Sequence, residues 1–311
     1  MQLPGRGAFG PPRDRAEALA VVRRAVELGV DHIDTAQYYG PDVANELLRS
    51  ALYPYPERLV IVSKVGAERD ARGGWVPAQR PEQLRAGVLE NLKALKLERL
   101  AVVNLRLTGH GEFGEQLDAM IAMRDEGLIG GIGLSNVEVG QLRQALGRTE
   151  IACVQNPFNL VDRGSEGVLR ECAERGIAFV PFFPLGAAFG RERVIGHPRV
   201  KDVARRFDIT PAQVALAWVL AVAPNTLLIP GTSRLEHLEE NLAVEHIRLD
   251  EGSLAELGVV GAIDQRATKE GAAEAETAIK PGKHGAGRTG QGDGAGEPGR
   301  RAPHDPAGGG R

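Results

Sequence analysis

The sequence predicts an α/β fold with a parallel sheet, either a (β/α)8 TIM barrel or, as the alternative, a doubly wound open sheet. Short β-rich runs alternate with longer helical patterns, and such alternation requires crossover connections between parallel strands. The part with apolar periodicity, residues 1–264, is close to the roughly 250 residues typical of the barrel. Seven strands are predicted, and a glycine-rich fingerprint of an open dinucleotide-binding sheet is absent after the first one, so the count favours the barrel.

The elements follow one another in a regular order. The first helix, predicted at 13–28, carries apolar residues at helical spacing, among them Leu19, Val22 and Val26, and stops at Gly29. The strands are predicted at 30–34, 59–63, 100–105, 129–134, 151–155, 177–182 and 226–229. The later helices are predicted at 81–95, 114–126, 137–146, 164–175, 199–207, 210–222 and 234–243.

Composition excludes several classes of protein. A formal net charge of −3 over 311 residues lacks the basic footprint of nucleic-acid binding. The longest apolar run, 214–223, ends at Pro224 and is shorter than the roughly 20 residues of a membrane span. Cys153 and Cys172 are too few for a disulfide framework and lack metal-ligand spacing. We therefore predict a cytoplasmic protein without a metal, a membrane or a nucleic-acid partner.

The last part of the chain differs in composition from the rest. Residues 265–311 consist mostly of Gly, Ala, Pro and charged residues, without apolar periodicity. Such a segment buries too little apolar surface to offset its chain entropy. We predict a folded domain at 1–264 and a disordered tail at 265–311.

Polar side chains follow several of the predicted apolar strands. In a barrel, functional groups sit at the C-terminal ends of the strands, so these side chains are expected to converge on one rim. In chain order they are Asp34, Tyr38, Tyr39, Lys64, Asn104, Arg106, Ser135, Asn136, Gln155, Phe182 and the segment 229–233.

Asp34, Tyr39 and Lys64 together have a specific chemical use. A tyrosine, with an ordinary pKa of about 10, is a poor acid at neutral pH, but a neighbouring ammonium group lowers that pKa by stabilising the phenolate. A carboxylate holds the lysine charged and oriented. The product is a general acid suited to protonating a carbonyl oxygen while hydride arrives at the carbon.

Six motifs in order then resemble the aldo-keto reductase family across residues 1–264. They are DTAQYYG, the lysine that ends the following strand, GLSN, VQN, PFFPLG and IPGTSRLEHLEEN. GPPRDR, ALYPY and VVNLR look most like a bacterial subgroup that includes pyridoxal reductases. The resemblance implies a (β/α)8 barrel and NADP(H)-dependent reduction of a small aldehyde or ketone, with a pyridoxal-like compound as the preferred substrate.

The resemblance also implies roles for single residues. Tyr39 is the general acid, Lys64 lowers its pKa and Asp34 orients Lys64. Arg106 stands where the family usually has histidine; it can polarise a carbonyl but cannot accept a proton. The cofactor-binding residues are Ser135, Asn136 and Gln155 at the nicotinamide carboxamide, Phe182 stacked on the ring, Pro184, Leu185, Gly186, Thr232, Ser233 and Arg234 near the pyrophosphate and ribose, Glu240 and Asn241 at the adenine, and Gly231 and His237 where the family binds the 2'-phosphate.

One departure from the family leaves a second class of function open. Family members begin with a hairpin and a complete first strand, whereas this chain is expected to begin at the last residues of that strand, 1–3. A missing strand leaves unpaired edges and exposes part of the core. The alternative to an active reductase is therefore a non-catalytic nucleotide-binding homologue or an inactive truncated one. The enzyme is expected to be a monomer or a weak oligomer.

Overall fold

Six parallel strands form one curled sheet in the computed structural model, which describes residues 2–261 and only the backbone at 187–189. The order is β1-β2-β5-β6-β7-β8, so neighbours along the chain are neighbours in the sheet. A separate antiparallel hairpin, β3–β4, interrupts the series after β2. The strands are β1 His32–Asp34, β2 Val60–Val65, β3 Ala67–Arg69, β4 Trp75–Pro77, β5 Leu100–Arg106, β6 Ile129–Ser135, β7 Cys153–Gln155 and β8 Ala178–Phe179.

Helices connect the parallel strands and cover the outside of the sheet. Their apolar stripes bury residues such as Leu84 and Val88 of the third helix and Leu117 and Met120 of the fourth in one large core. The helices are α1 Arg15–Glu27, α2 Val43–Leu52, α3 Pro81–Leu95, α4 Gly114–Asp125, α5 Val139–Leu146, α6 Glu166–Glu174, α7 Ala187–Ile195, α8 Pro198–Phe207, α9 Pro211–Val222, α10 Leu235–Leu242 and α11 Glu251–Gly258. Within 2–261, none of them is both long and apolar enough to cross a membrane.

The observed elements differ from the predicted ones in a few places. Helices α2, α7 and α11 and the hairpin β3–β4 were not predicted. The predicted strand 226–229 was wrong, since Thr226 forms only an isolated bridge to Phe179 and no strand is assigned there. Short elements of this kind give too few residues to establish a period, so their sequence pattern is weak.

The two ends of the chain bear on the predicted domain limits. Between residue 2 and β1 the structure assigns no strand, and Leu3 is buried in the core. Residues 2–261 all belong to one compact unit. The predicted domain limit at 264 and the tail at 265–311 lie outside the described residues.

A buried polar network joins the start of the barrel to α3. The Asn91 side chain on α3 accepts hydrogen bonds from Asn45 Nδ2 at 2.9 Å and Ser63 Oγ at 2.6 Å, and donates to Gln37 Oε1 at 2.9 Å. Asn45 Oδ1 in turn accepts a bond of 2.8 Å from Thr35 Oγ1. The network therefore fixes the segment that follows β1 against β2 and two helices.

Replacing the centre of this network is expected to destabilise the fold strongly. Asn91→Leu leaves three buried polar groups without a partner, and we expect the free energy of unfolding to fall by about 3 kcal/mol or more. Lys93→Leu, at an exposed position of the same helix, is the control and should stay within about 0.5 kcal/mol of the parent. Denaturant unfolding of the three proteins checks this, and an unchanged midpoint for Asn91→Leu would contradict it.

A carboxylate with two arginine partners links the outer helices α5 and α6. Glu171, on α6, accepts from Arg143 Nη2 of α5 at 2.6 Å and from Arg175 Nε at 2.7 Å, and its side chain is only 5% exposed. These two hydrogen bonds lower the pKa of the Glu171 carboxyl to about 2. The folded state therefore favours the ionised form of the Glu171 carboxyl more than the unfolded state does.

This shift predicts a pH-dependent contribution to stability. Because the folded pKa is below the ordinary value of 4.5, the contribution is complete above pH 4.5 and is lost as the pH falls toward 2. We expect Glu171→Gln to be less stable than the parent at pH 6, with a difference that shrinks steadily below pH 4.5. Urea unfolding between pH 6 and 3.5 measures it, with the exposed Glu150→Gln as control. A difference independent of pH would refute the assignment.

Candidate active site

A buried ion pair lies at the C-terminal ends of the first two strands. Lys64 Nζ contacts Asp34 Oδ1 directly, and the two side chains are only 7% and 5% exposed. Lys64 also donates to the Thr35 carbonyl at 3.1 Å. From β7, Gln155 Nε2 donates to the other oxygen of Asp34 at 2.6 Å. Because β7 is not a sheet neighbour of β1 or β2, this last bond crosses the barrel interior.

Tyr39 lies beside this pair, in the turn between β1 and α2. Lys64 Nζ is 5.0 Å from the centroid of its ring. Backbone bonds fix the turn, since Tyr39 N donates to Ala36 O at 3.1 Å and Tyr39 O accepts from Ala44 N at 3.0 Å. The structure thus brings together the three residues predicted from the sequence to act as one unit.

The protonation state of Tyr39 follows from its surroundings. Burial raises the pKa of the phenol and the Asp34 carboxylate raises it further, whereas Arg106 and Arg69 lower it, with a net upward direction. Tyr39 therefore carries its proton at neutral pH, as a proton donor must. The two arginines are the cations that lower the pKa of Tyr39 in this structure. The lowering of that pKa by Lys64, expected from the sequence, stays a prediction.

Arg106 lies at the end of β5, where its guanidinium faces the hairpin β3–β4. Its Cζ is 4.8 Å from the ring centroid of Trp75, and Arg69 Cζ is 3.9 Å from the same ring. Sequence reasoning missed Arg69 and Trp75. The available signal was a tryptophan in the polar segment 66–80, between a strand-end lysine and the next helix.

The four predicted nicotinamide-binding residues lie at or just after the ends of the adjacent strands β6, β7 and β8. Ser135 is in register with Gln155, and Asn136 N donates to Gln155 O at 3.1 Å. Phe182 N donates to Asn156 O at 3.0 Å, so Phe182 lies beside the end of β7 on the same rim. The Oε1 atom of Gln155 is buried and accepts no hydrogen bond from the described residues. This edge therefore offers an unused acceptor next to the Asp34–Lys64 pair.

Two loops that precede helices hold the residues predicted near the pyrophosphate and ribose, together with Gly231. Pro184, Leu185 and Gly186 precede α7, and Gly186 has φ 85°, where a Cβ would lie 2.4 Å from Gly190 O. The second loop, Gly231, Thr232, Ser233 and Arg234, precedes α10. Arg234 Nη2 pairs with Glu236 Oε2 at 2.8 Å, and Ser233 and Arg234 line a cavity of ≈ 520 Å³ together with residues 2–6.

The predicted adenine-binding residues have structural partners of their own. Glu240 accepts a hydrogen bond from Thr210 Oγ1, and Asn241 Nδ2 donates to Pro230 O at 3.4 Å. His237, predicted at the 2'-phosphate position, is exposed. Among residues 2–261, no hydrogen bond or ion pair joins the residues at 231–241 to the group around Asp34. The described part of the chain also holds no cluster of three or more His, Cys, Asp or Glu side chains arranged for a metal ion.

Comparison with known proteins bears on both the fold and this site. A model of the Aldo/keto reductase family matches residues 1–260. The chain is 46% identical over 264 residues to pyridoxine 4-dehydrogenase of Escherichia coli (strain K12), covering 83% of this chain and 91% of that protein.

Solved structures of aldo-keto reductases also match this chain. The aldo-keto reductase Tm1743, crystallised with the inhibitor epalrestat, has a TM-score of 0.70 and 29% identity and covers 84% of this chain and 99% of its own. An aldo/keto reductase from Klebsiella pneumoniae, crystallised with NADP and acetate, has a TM-score of 0.69 and 27% identity and covers 83% and 88%. The predicted (β/α)8 fold and the family resemblance are confirmed, and the chain belongs to the aldo/keto reductase family.

Proposed function

We propose that this protein reduces a small aldehyde or ketone, with NADPH as the hydride donor and Tyr39 as the general acid. The observation that carries the proposal is the position of the partly buried Tyr39 phenol, whose ring centroid lies 5.0 Å from Lys64 Nζ of the buried Asp34–Lys64 pair. Burial and Asp34 raise the pKa of Tyr39, so the phenol holds its proton at neutral pH, and proton transfer requires nearby cations to stabilise the phenolate that forms.

The residues at the rim fit a nicotinamide. The carboxamide of the ring has N–H donors and a carbonyl acceptor, and the buried Gln155 Oε1 is an acceptor without a partner in the described structure. Ser135 is in register with Gln155, Asn136 N donates to Gln155 O, and Phe182 is half-buried at the next position. When bound, the reduced nicotinamide supplies the hydride. The K. pneumoniae relative crystallised with NADP and the exposed Arg234 at the second loop support NADP(H) over NAD(H).

Proton transfer is assigned to this chain's own side chains. As the carbonyl oxygen gains negative charge, the Tyr39 hydroxyl donates its proton to it. The phenolate that remains is stabilised by Lys64, which Asp34 and the Thr35 carbonyl hold in place. Arg106, a donor that stays charged, polarises the same oxygen without relaying a proton.

The substrate is inferred from the similarity of the whole chain to a curated relative. The 46% identity to a pyridoxine 4-dehydrogenase favours a pyridoxal-like aldehyde. We further propose that the protein is cytoplasmic and acts as a monomer or a weak oligomer. A protein that binds the nucleotide without catalysis, the second class of function, is the alternative that the following experiment separates.

The Tyr39 hydroxyl is the atom whose removal tests the proposal. Tyr39→Phe deletes the acidic proton and is expected to lower kcat for pyridoxal by about 10² to 10⁴, with the NADPH Kd nearly unchanged. Tyr38→Phe is the matched control, because it removes the hydroxyl of the neighbouring tyrosine, which is buried and has no hydrogen-bond partner in the described structure. That variant should keep kcat close to the parent value.

The measurement is the loss of NADPH absorbance with pyridoxal and a panel of small aldehydes. Turnover by Tyr39→Phe at the parent rate would remove Tyr39 from the mechanism. NADPH binding by the parent without oxidation by any carbonyl compound would instead support the non-catalytic class.

A further inference from the structure

The hairpin β3–β4 brings two cationic side chains to the mouth of the barrel. Arg69, the last residue of β3, and Arg106, the last residue of β5, both lie against Trp75, with Cζ-to-centroid distances of 3.9 and 4.8 Å. Trp75 is 48% exposed, so the cluster borders solvent. Two like charges packed around one ring repel each other, and a cluster of this kind is stabilised by an anion.

The hydrogen-bonding capacity of Arg69 is largely unused. Its Nη2 donates to Gly7 O at 2.6 Å, but Nε and Nη1 are buried and have no partner among the described residues. Within that part of the chain no carboxylate forms an ion pair with Arg69 or Arg106. Buried charged donors without acceptors are costly, and guanidinium groups bind carboxylates in a bidentate manner.

The cluster also lies next to the proposed proton donor. The Tyr38 ring is 5.3 Å from the ring of Trp75 and 5.2 Å from that of Tyr39, edge to face in both contacts. Both arginines lower the pKa of Tyr39, so their charges act on the phenol from within the same site. The arginine cluster and Tyr39 are thus linked through the Tyr38 ring, so a substrate whose carbonyl oxygen faces Tyr39 would present its neighbouring group toward the arginines.

We propose that Arg69 and Arg106 form a receptor for an anionic oxygen group that the substrate carries beside its carbonyl. The proposal rests on the proposed function and narrows its substrate class to aldehydes and ketones with an ionised oxygen, such as a carboxylate or phenolate, next to the reacting carbon. Arg69 is then a specificity-determining residue, and Trp75 holds both guanidinium planes in place.

A charged substrate and its neutral ester test this class directly. We compare kcat/KM for 2-carboxybenzaldehyde and methyl 2-formylbenzoate, which differ mainly in charge, with NADPH as cofactor. The parent is expected to prefer the acid by about tenfold or more. Arg69→Met keeps a long chain against Trp75 but removes the charge, and should lower kcat/KM for the acid by about tenfold to hundredfold while changing that for the ester by less than about threefold.

Two further variants keep the test specific. Arg69→Lys restores the charge without the planar fork and should recover part of the preference for the acid. Arg72→Met, on the exposed turn of the same hairpin, is the matched control and should leave the preference unchanged. Absence of a preference in the parent, or an equal fall for both substrates in Arg69→Met, would overturn the proposal.

Benzoate binding, measured by calorimetry, separates this proposal from the proposed function. Benzoate binding that is lost in Arg69→Met, with no oxidation of NADPH by any aldehyde, would uphold the anion receptor and overturn the reductase assignment. Turnover of both aldehydes without benzoate binding would overturn the receptor alone.

Discussion

The buried contact between Asp34 and Lys64 constrains much of the rest of the barrel mouth. Two charges removed from water each cost several kcal/mol, and their mutual attraction offsets that cost only when the remaining donors and acceptors are also satisfied. Here Thr35 O accepts from Lys64, and Gln155 donates to Asp34 from the far side of the interior. Buried ion pairs contribute little net stability, and the position of this pair at two strand ends beside Tyr39 agrees with the role proposed for it.

The support for this pair extends into the helices. Thr35 and Gln37, which flank the turn leading to Tyr39, are held by the network centred on Asn91, and Ser63 of the same network precedes Lys64 in the chain. A helix outside the sheet thus fixes both strand ends that carry the pair. Precise placement of this kind is what the proton-donor role proposed for Tyr39 requires, since proton transfer depends on geometry before it depends on pKa.

The charge balance around Tyr39 sets a second constraint. Burial and Asp34 favour the neutral phenol, while Arg69 and Arg106 favour the phenolate. The site therefore keeps the proton on Tyr39 at rest, and the two arginines oppose the effect of Asp34 on its pKa. An anionic substrate group bound by the arginines would withdraw part of that cationic influence and couple substrate charge to the acidity of Tyr39.

Sequence reasoning predicted the part of the site that depends on strand ends. Asp34, Lys64 and Gln155 follow apolar runs, and the carboxyl ends of parallel strands meet on one rim. The hairpin that carries Arg69 and Trp75 was not predictable in this way, because its strands of three residues have no readable period. Asn45 and Asn91 resemble ordinary helix surface residues in the sequence, and only the packing shows that both are fully buried.

A double-mutant cycle on Asp34 and Lys64, followed by the single-turnover rate of NADPH oxidation, tests most directly whether the pair acts on Tyr39 as one unit. If it does, Asp34→Asn combined with Lys64→Met should cost little more than Lys64→Met alone. Losses that simply add would contradict that account.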